Sequence, residues 1–309
     1  MITTLTLNPA VDKTSIVEAI TLGGLNRVLE TMQSPGGKGI NVSKGLARLG
    51  SATTVLGILA GDTGEWIANY LSANHIPYDF VEGDGQTRTN LKVFTKSTET
   101  ITEFNEKGNP VNQEIMNRVW QKARHYAEKS EFMVFSGSVP AGVSNDIYSE
   151  LITAFKGVTK TVLDADGILL TQGIEAIPYL IKPNIHELEK LFNRTLTQEQ
   201  EIIACGRELV GRGIAKVLIS MGGEGSILVT ENACYKVPPV KVSVKSTVGA
   251  GDSMVAGFVH GLSQGMKDPD ALRLSVACAT AAVMAEGSET FALETVENVV
   301  AKIQIEKVL

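Results

Sequence analysis

The chain has 309 residues, 43% of them hydrophobic and 20% charged, a balance ordinary for a globular protein. It holds no run of 18 apolar residues, which excludes a helical membrane span. A net charge of −6 excludes a general nucleic-acid footprint, although a local basic patch can still hold a small anion.

The opening stretch Met1-Ile2-Thr3-Thr4-Leu5-Thr6-Leu7 has no basic region ahead of a long apolar core. It reads as a first strand over 3–7 rather than as a secretory leader. Asn8-Pro9-Ala10-Val11-Asp12 ends that strand and offers the Asp12 carboxylate to sugar hydroxyls. Residues 13–31 are rich in Thr, Val, Ile and charge without a helical stripe, which suits an exposed β-ribbon. Next, Ser34-Pro35-Gly36-Gly37-Lys38-Gly39-Ile40-Asn41-Val42-Ser43 opens a helix over 40–49. Glycines at a helix N-terminus present backbone N–H groups, and here a lysine, to a phosphorylated, polyhydroxylated ligand. It is not a Walker A loop, because Gly39 and not Ser or Thr follows Lys38. The plainer alternative for Lys38 is a solvated turn lysine.

A strand over 53–57 and a helix over 65–73 come next. Residues 87–105 then read as a second ribbon, with Arg88, Asn90 and Lys92 on one face. The two ribbons form either a small sheet over the mouth of a site or decorated loops. Beyond them come a helix over 113–129, the strand Phe132–Ser136, and the turn Ser136-Gly137-Ser138-Val139-Pro140. A helix over 145–155 and strands over 161–164 and 179–182 succeed them. Pro183 halts the last strand, and Asn184 and Glu187, three apart, project together from a helix start. Such a pair can hold waters around Mg²⁺, or can simply cap the helix.

A helix over 199–212 and a strand over 217–220 lead into Ser220-Met221-Gly222-Gly223-Glu224-Gly225. Ligands of open α/β sheets sit beyond the carboxyl ends of strands, so this loop can admit a nucleotide; it can also turn a hairpin into 227–229. The strongest signal is Thr247-Val248-Gly249-Ala250-Gly251-Asp252-Ser253, followed by helices over 252–262 and 271–285. Gly249, Ala250 and Gly251 let N–H groups converge at a helix N-terminus, which makes an anion hole. Asp252 in the first turn either caps the helix or, beside such a hole, accepts a proton. The alternation of strands and helices predicts an α/β fold, with a mostly parallel sheet covered on both faces, in one domain. Cys205, Cys234 and Cys278 are scattered and form no CxxC pair, which fits a reducing, cytoplasmic setting.

In this order the motifs resemble the ribokinase-like phosphofructokinase B family of carbohydrate kinases over essentially the whole chain. Segments 8–12, 36–41, 181–187 and 248–252 carry the resemblance. Within the family, segments 36–43, 87–88 and 136–140 are most similar to bacterial 1-phosphofructokinases, and tagatose-6-phosphate kinases share the same motifs. The resemblance implies a three-layer α/β/α core with a small β-sheet lid from segments 13–31 and 87–105, one kinase domain over 1–309, and a homodimer paired through the lid. It implies ATP-dependent conversion of fructose 1-phosphate to fructose 1,6-bisphosphate, with Asp252 as general base and Gly249, Ala250 and Gly251 as the anion hole. Asp12, Gly37, Asn41 and Ser138 would then contact the sugar, and Lys38, Arg88, Arg27 and Lys92 its existing phosphate. ATP would lie along Lys182, Asn184, Ser220, Gly222, Gly223, Gly225 and Gly251, with Mg²⁺ near Asn184 and Glu187. A kinase of tagatose 6-phosphate or fructose 6-phosphate is the nearest alternative, and a non-catalytic sugar-phosphate sensor the alternative from another class. Asn109, between Gly108 and Pro110, and Asp166, where Ser is common, depart from the family pattern.

Overall fold

In Phe132–Ser136 all five residues are buried, and alternate side chains enter different cores. Phe132 and Val134 pack into one, Met133 and Phe135 into the other. Leu218 is divided from Val217 and Ile219 in the same way. Strands buried on both faces need helices on both, and the computed structural model, which describes residues 1–285 and 290–308, supplies them.

The strands in chain order are β1 (Ile2–Thr6), β2 (Ala10–Val17), β3 (Val28–Gly36), β4 (Thr53–Leu59), β5 (Tyr78–Glu82), β6 (Arg88–Thr95) and β7 (Thr100–Asn105). They continue as β8 (Phe132–Ser136), β9 (Lys160–Asp164), β10 (Leu180–Ile181), β11 (Lys216–Ser220), β12 (Ser226–Thr230), β13 (Cys234–Val237) and β14 (Glu306–Lys307). The helices are α1 (Lys38–Arg48), α2 (Gly61–Ala73), α3 (Gln113–Ala127), α4 (Ile147–Ala154) and α5 (Gly167–Glu175). After them come α6 (Ile185–Phe192), α7 (Glu199–Gly211), α8 (Ala250–Ser263), α9 (Asp268–Met284) and α10 (Leu293–Val300). No helix among the described residues is long and apolar enough to cross a membrane.

The large sheet runs β14-β13-β12-β11-β10-β9-β8-β1-β4-β5. It is parallel from β11 to β5, and the hairpin strands β12, β13 and β14 add antiparallel pairs at one edge. One face carries α3 to α7, with Ile115, Tyr148, Leu170, Leu188 and Leu209 in its core. The other carries α1, α8, α9 and α10, with Leu46, Val255, Ala277 and Val296. This is the expected three-layer α/β/α core. Early strands lie on one side of β1 and late strands on the other, so the order reverses between β1 and β8. A crevice opens beyond the carboxyl ends of strands at such a reversal.

The two ribbons form a second sheet of four strands, in the order β3-β2-β6-β7. The first begins and ends closer to the core than the sequence suggested, with Ala10 paired to both Gly36 and Arg88, whereas the second, from Arg88 to Asn105, keeps nearly the expected bounds. One expectation needs correcting: Asp12 does not end the first strand. β1 stops at Thr6, and Asp12 is the third residue of β2, paired with Ser34 and Asn90. Pro9 is the physical reason, since it has no N–H to extend a ladder and separates the two strands.

Candidate active site

The site is built where α1 and α8 both point their N-termini at the carboxyl ends of the strands. Gly249, at φ +76°, is the N-cap of α8, and its left-handed backbone aims the chain from the preceding loop into the helix. Asp252 falls in the first turn and is only 7% exposed. Asn41 on α1 donates from Nδ2 to Asp252 Oδ2 at 2.9 Å. One turn further along each helix, Gly45 meets Ala256; a Cβ on Gly45 would stand 2.8 Å from the Ala256 Cβ. The missing side chain therefore sets the close approach of the helices that lets Asn41 reach Asp252.

A buried charge cluster lies beside that pair. Asp164, at the end of β9, has no exposed side-chain surface and binds Lys38 at 3.0 Å and Lys182 at 3.4 Å through the same oxygen, Oδ1. Lys182 is adjacent because Ile181 pairs with Leu163 and the Lys182 N–H donates to the Leu163 carbonyl. Its Nζ lies 3.2 Å from where a Cβ on Gly251 would be, against the proposed anion hole. Burial alone would raise the Asp164 carboxyl, but Lys182 and Lys38 hold it below its ordinary range. Burial likewise opposes the Lys38 ammonium, yet Asp164, Asp252 and Glu187 raise its pKa. Burial, helped by the charge of Asp164, pushes the Asp252 carboxyl up to about 6 against the pull of Lys38, Asn41 and Lys182.

On the lid side, Asp12 accepts from Asn90 Nδ2 at 2.9 Å and Lys92 Nζ at 3.4 Å. The Arg88 Nε and Nη2 atoms donate to the Asn8 carbonyl at 3.2 and 3.0 Å, and Nη1 donates to the Glu106 carbonyl at 2.9 Å. Ser138 Oγ accepts from Asn8 Nδ2 at 3.3 Å and lies 3.5 Å from Arg88 Nη2. Burial lowers the Arg88 guanidinium pKa, with Asp12 and Glu106 opposing. Gly37 is the N-cap of α1. Arg27 is not brought to this group: it is exposed, just before β3, at the far end of the ribbon from Gly36.

Toward the loop after β11, Asn184 forms a β-bridge with Ser220, and the Ser220 N–H donates to the Pro183 carbonyl at 3.1 Å. Gly222, Gly223 and Gly225 shape a short 3₁₀ turn between β11 and β12, so the loop is also the hairpin turn that the sequence allowed. Asn184 and Glu187 form a reciprocal capping box on α6: Asn184 Oδ1 accepts from the Glu187 N–H at 2.9 Å, and Glu187 Oε2 from the Asn184 N–H at 2.8 Å. Burial raises the Glu187 carboxyl, partly offset by that backbone bond and by Lys182 and Lys38. Asp166 is the N-cap of α5 without a side-chain cap bond, and Asn109 ties its loop to the Asp84 and Gln86 carbonyls at 2.9 and 2.7 Å.

Sequence reasoning missed Asp164. Its signal was present, a carboxylate directly after the buried pair Val162-Leu163 at the end of the strand Lys160–Asp164. No glycine motif surrounds it, so only the neighbouring strands reveal that two lysines converge there.

The pfkB family carbohydrate kinase model matches residues 5–295. A 1-phosphofructokinase of Bacillus subtilis (strain 168) is 37% identical over 302 residues, 97% of this chain and 98% of the relative. A D-tagatose-1-phosphate kinase of Bacillus licheniformis is 36% identical over 293 residues, covering 93% and 94%. The structure of phosphofructokinase-2 from Escherichia coli in complex with substrates and products superposes with a TM-score of 0.93 at 30% identity, over 97% of this chain and 98% of that one. With a glycine-rich helix N-terminus, a buried carboxylate and a lysine cluster set in a matching fold, the chain belongs to the pfkB family of carbohydrate kinases.

Proposed function

We propose that the chain transfers the γ-phosphoryl group of ATP to the 6-hydroxyl of fructose 1-phosphate, giving ADP and fructose 1,6-bisphosphate. The observation that carries this reading is the buried Asp252 carboxyl at the N-terminus of α8, bonded to Asn41 and raised to about 6. Near neutral pH it is ionised, yet it is a stronger base than a surface carboxylate. The 6-oxygen bonds to the γ-phosphorus, the bond from that phosphorus to the bridging oxygen of ADP breaks, and the hydroxyl proton passes to Asp252. The N–H groups of Gly249 to Gly251, with Lys182 beside them, face the charge on the moving group. In this reading Asp12, Gly37, Asn41 and Ser138 hold the sugar, and Arg88 and Lys92 hold its existing phosphate. The four-stranded sheet acts as a lid that excludes water.

The names of the Bacillus relatives support a ketohexose 1-phosphate. The Bacillus licheniformis relative favours one second reading, D-tagatose 1-phosphate, which presents the same 6-hydroxyl.

The donor set fits Mg²⁺ only as an ion carried largely by phosphate and water. Glu187 Oε2 and Asn184 Oδ1 are spent on the capping box, which leaves Glu187 Oε1 to face it. When bound, the ion would neutralise charge on the nucleotide phosphates. Residues Lys182, Asn184, Ser220, Gly222, Gly223 and Gly225 would line the ATP.

The reading takes 1–309 as one catalytic unit that works as a homodimer paired through the lid. Exposed Leu22, Leu25, Leu29, Ile101 and Phe104 on the lid support that pairing. Arg27 lies seven residues before Ser34, the partner of Asp12, or about 23 Å along an extended strand, which supports service in the neighbour's site. The buried, unpaired cysteines support a cytoplasmic setting. The test is an ADP-release assay across fructose 1-phosphate, tagatose 1-phosphate, fructose 6-phosphate and tagatose 6-phosphate. Turnover is expected to be fastest with fructose 1-phosphate; no turnover with any of them would leave a sensor.

A further inference from the structure

Lys38 faces different company from the lid cations. Lys92 is engaged with Asp12, and Arg88 with the carbonyls of Asn8 and Glu106. Lys38 instead turns to Asp164, sharing Oδ1 with Lys182. The other acids whose charges act on it are Asp252 and Glu187, both at the phosphoryl-transfer end. The two lysines are not equivalent. Lys182 has 4% of its side chain exposed and is held against Gly251, whereas Lys38 keeps 34% and sits at the first residue of α1 on a flexible stem. Of two ammonium groups on one carboxylate oxygen, only Lys38 is free to leave. The second oxygen, Asp164 Oδ2, is buried and has no hydrogen-bond partner, so the carboxylate is under-used even with both lysines in place.

Resting on the kinase reading above, we propose that Lys38 is a catalytic residue of the phosphoryl-donor side, whose ammonium passes from Asp164 to the phosphoryl group during transfer. Asp164 is then a positioning residue. It shields two neighbouring cations from each other while the site is empty and keeps Lys182 at the anion hole once Lys38 has moved. A phosphoryl group in transfer spreads its charge over three oxygens, and donors from α8 reach it from one side only. Lys38 comes from α1 and would add a cation from a second helix. It remains an ammonium throughout; the bonds made and broken, and the proton taken by Asp252, are unchanged. This differs from the sequence expectation, which placed Lys38 on the phosphate that the sugar already carries.

The test compares Lys38→Met, Lys38→Arg and Arg88→Ala with the wild type in steady-state assays on ATP and fructose 1-phosphate. Lys38→Met is expected to lose about 10²–10³-fold in kcat while KM for fructose 1-phosphate stays within about threefold, and Lys38→Arg to recover part of the loss. Arg88→Ala is expected to show the opposite split, a raised KM. Binding of ADP with aluminium fluoride and fructose 1-phosphate, which mimics the group in transfer, should weaken in Lys38→Met while binding of ATP alone does not. The acid limb of kcat/KM should move to higher pH, because a cation that favours ionised Asp252 is gone. A rise of about tenfold or more in KM with kcat retained would return Lys38 to the sugar's own phosphate and overturn the proposal, as would unchanged kinetics. If Lys38→Met proves unfolded by thermal melting, Lys38→Arg decides by the same split of kcat against KM. Wild-type turnover in the same plate separates the two readings. Its absence counts against the proposed function and the Lys38 role together; its presence beside an unaffected Lys38→Met counts against Lys38 alone.

Discussion

Replacing Asp252 by Asn should make the protein more stable and nearly inactive. Raising a carboxyl from 3.8 to about 6 disfavours its ionised form in the fold by roughly 3 kcal/mol. The sign comes from proton binding. Between pH 3.8 and about 6 the folded chain holds a proton that the unfolded chain has lost, so this group's contribution to stability falls as pH rises. Above about 6 the full penalty applies; below 3.8 it vanishes. An Asn side chain removes the penalty and can still accept from Asn41 Nδ2 through its Oδ1, keeping the bond between α1 and α8. The expected gain is therefore about 1–3 kcal/mol at pH 8, shrinking toward zero near pH 4, together with a kcat lower by about 10³-fold or more. Urea unfolding of both proteins at several pH values measures the first, and an ADP-release assay the second. An Asn variant less stable than the wild type at pH 8, or a difference that ignores pH, would refute the account of Asp252 as a buried carboxylate held ionised at a cost.

The same carboxyl sets the pH dependence of the rate: kcat/KM should fall about tenfold per pH unit below about 6, and a profile flat to pH 5 would remove Asp252 as the base. Asp164→Asn leaves the Lys38 and Lys182 ammonium groups without their shared counter-ion, and should lower stability by about 3–5 kcal/mol in denaturant unfolding. Gly45→Ala puts a Cβ 2.8 Å from Ala256, so it should lower stability by about 1–3 kcal/mol and reduce kcat by separating Asn41 from Asp252. Adding Ala256→Gly should restore much of both, and no restoration would show that the helix contact does not set that pair.

Much of the core was legible because its strands are buried on both faces and read as continuous apolar runs. Phe132–Ser136 matched the expectation to the residue, and the first strand was displaced by one. The glycines marked both helix N-termini to within two residues: the helices begin at Lys38 and Ala250, where the sequence suggested Ile40 and Asp252. Partnership was not legible. β5 shows one buried position, Val81, at a sheet edge, and β14 spans two residues, so neither carries a period to detect. Asp12 was assigned to the wrong strand because Pro9 marks a break without indicating that a new strand starts directly after it. Asn184 and Glu187 fit either a cap or a metal pair by their spacing; both have the cap geometry, and the carboxylate oxygen left over keeps the other role open. Asp164 depends on β9 lying beside β8 and β10, information that no local window contains.

The measurement that bears most directly on the central claim is ³¹P NMR of fructose 1-phosphate incubated with ATP and either the wild type or Asp252→Asn. The wild type is expected to produce a second phosphomonoester signal, on the 6-oxygen, while Asp252→Asn produces none on the same timescale. Phosphorylation by Asp252→Asn at a rate near that of the wild type, or ATP consumed by the wild type with only inorganic phosphate formed, would contradict that claim.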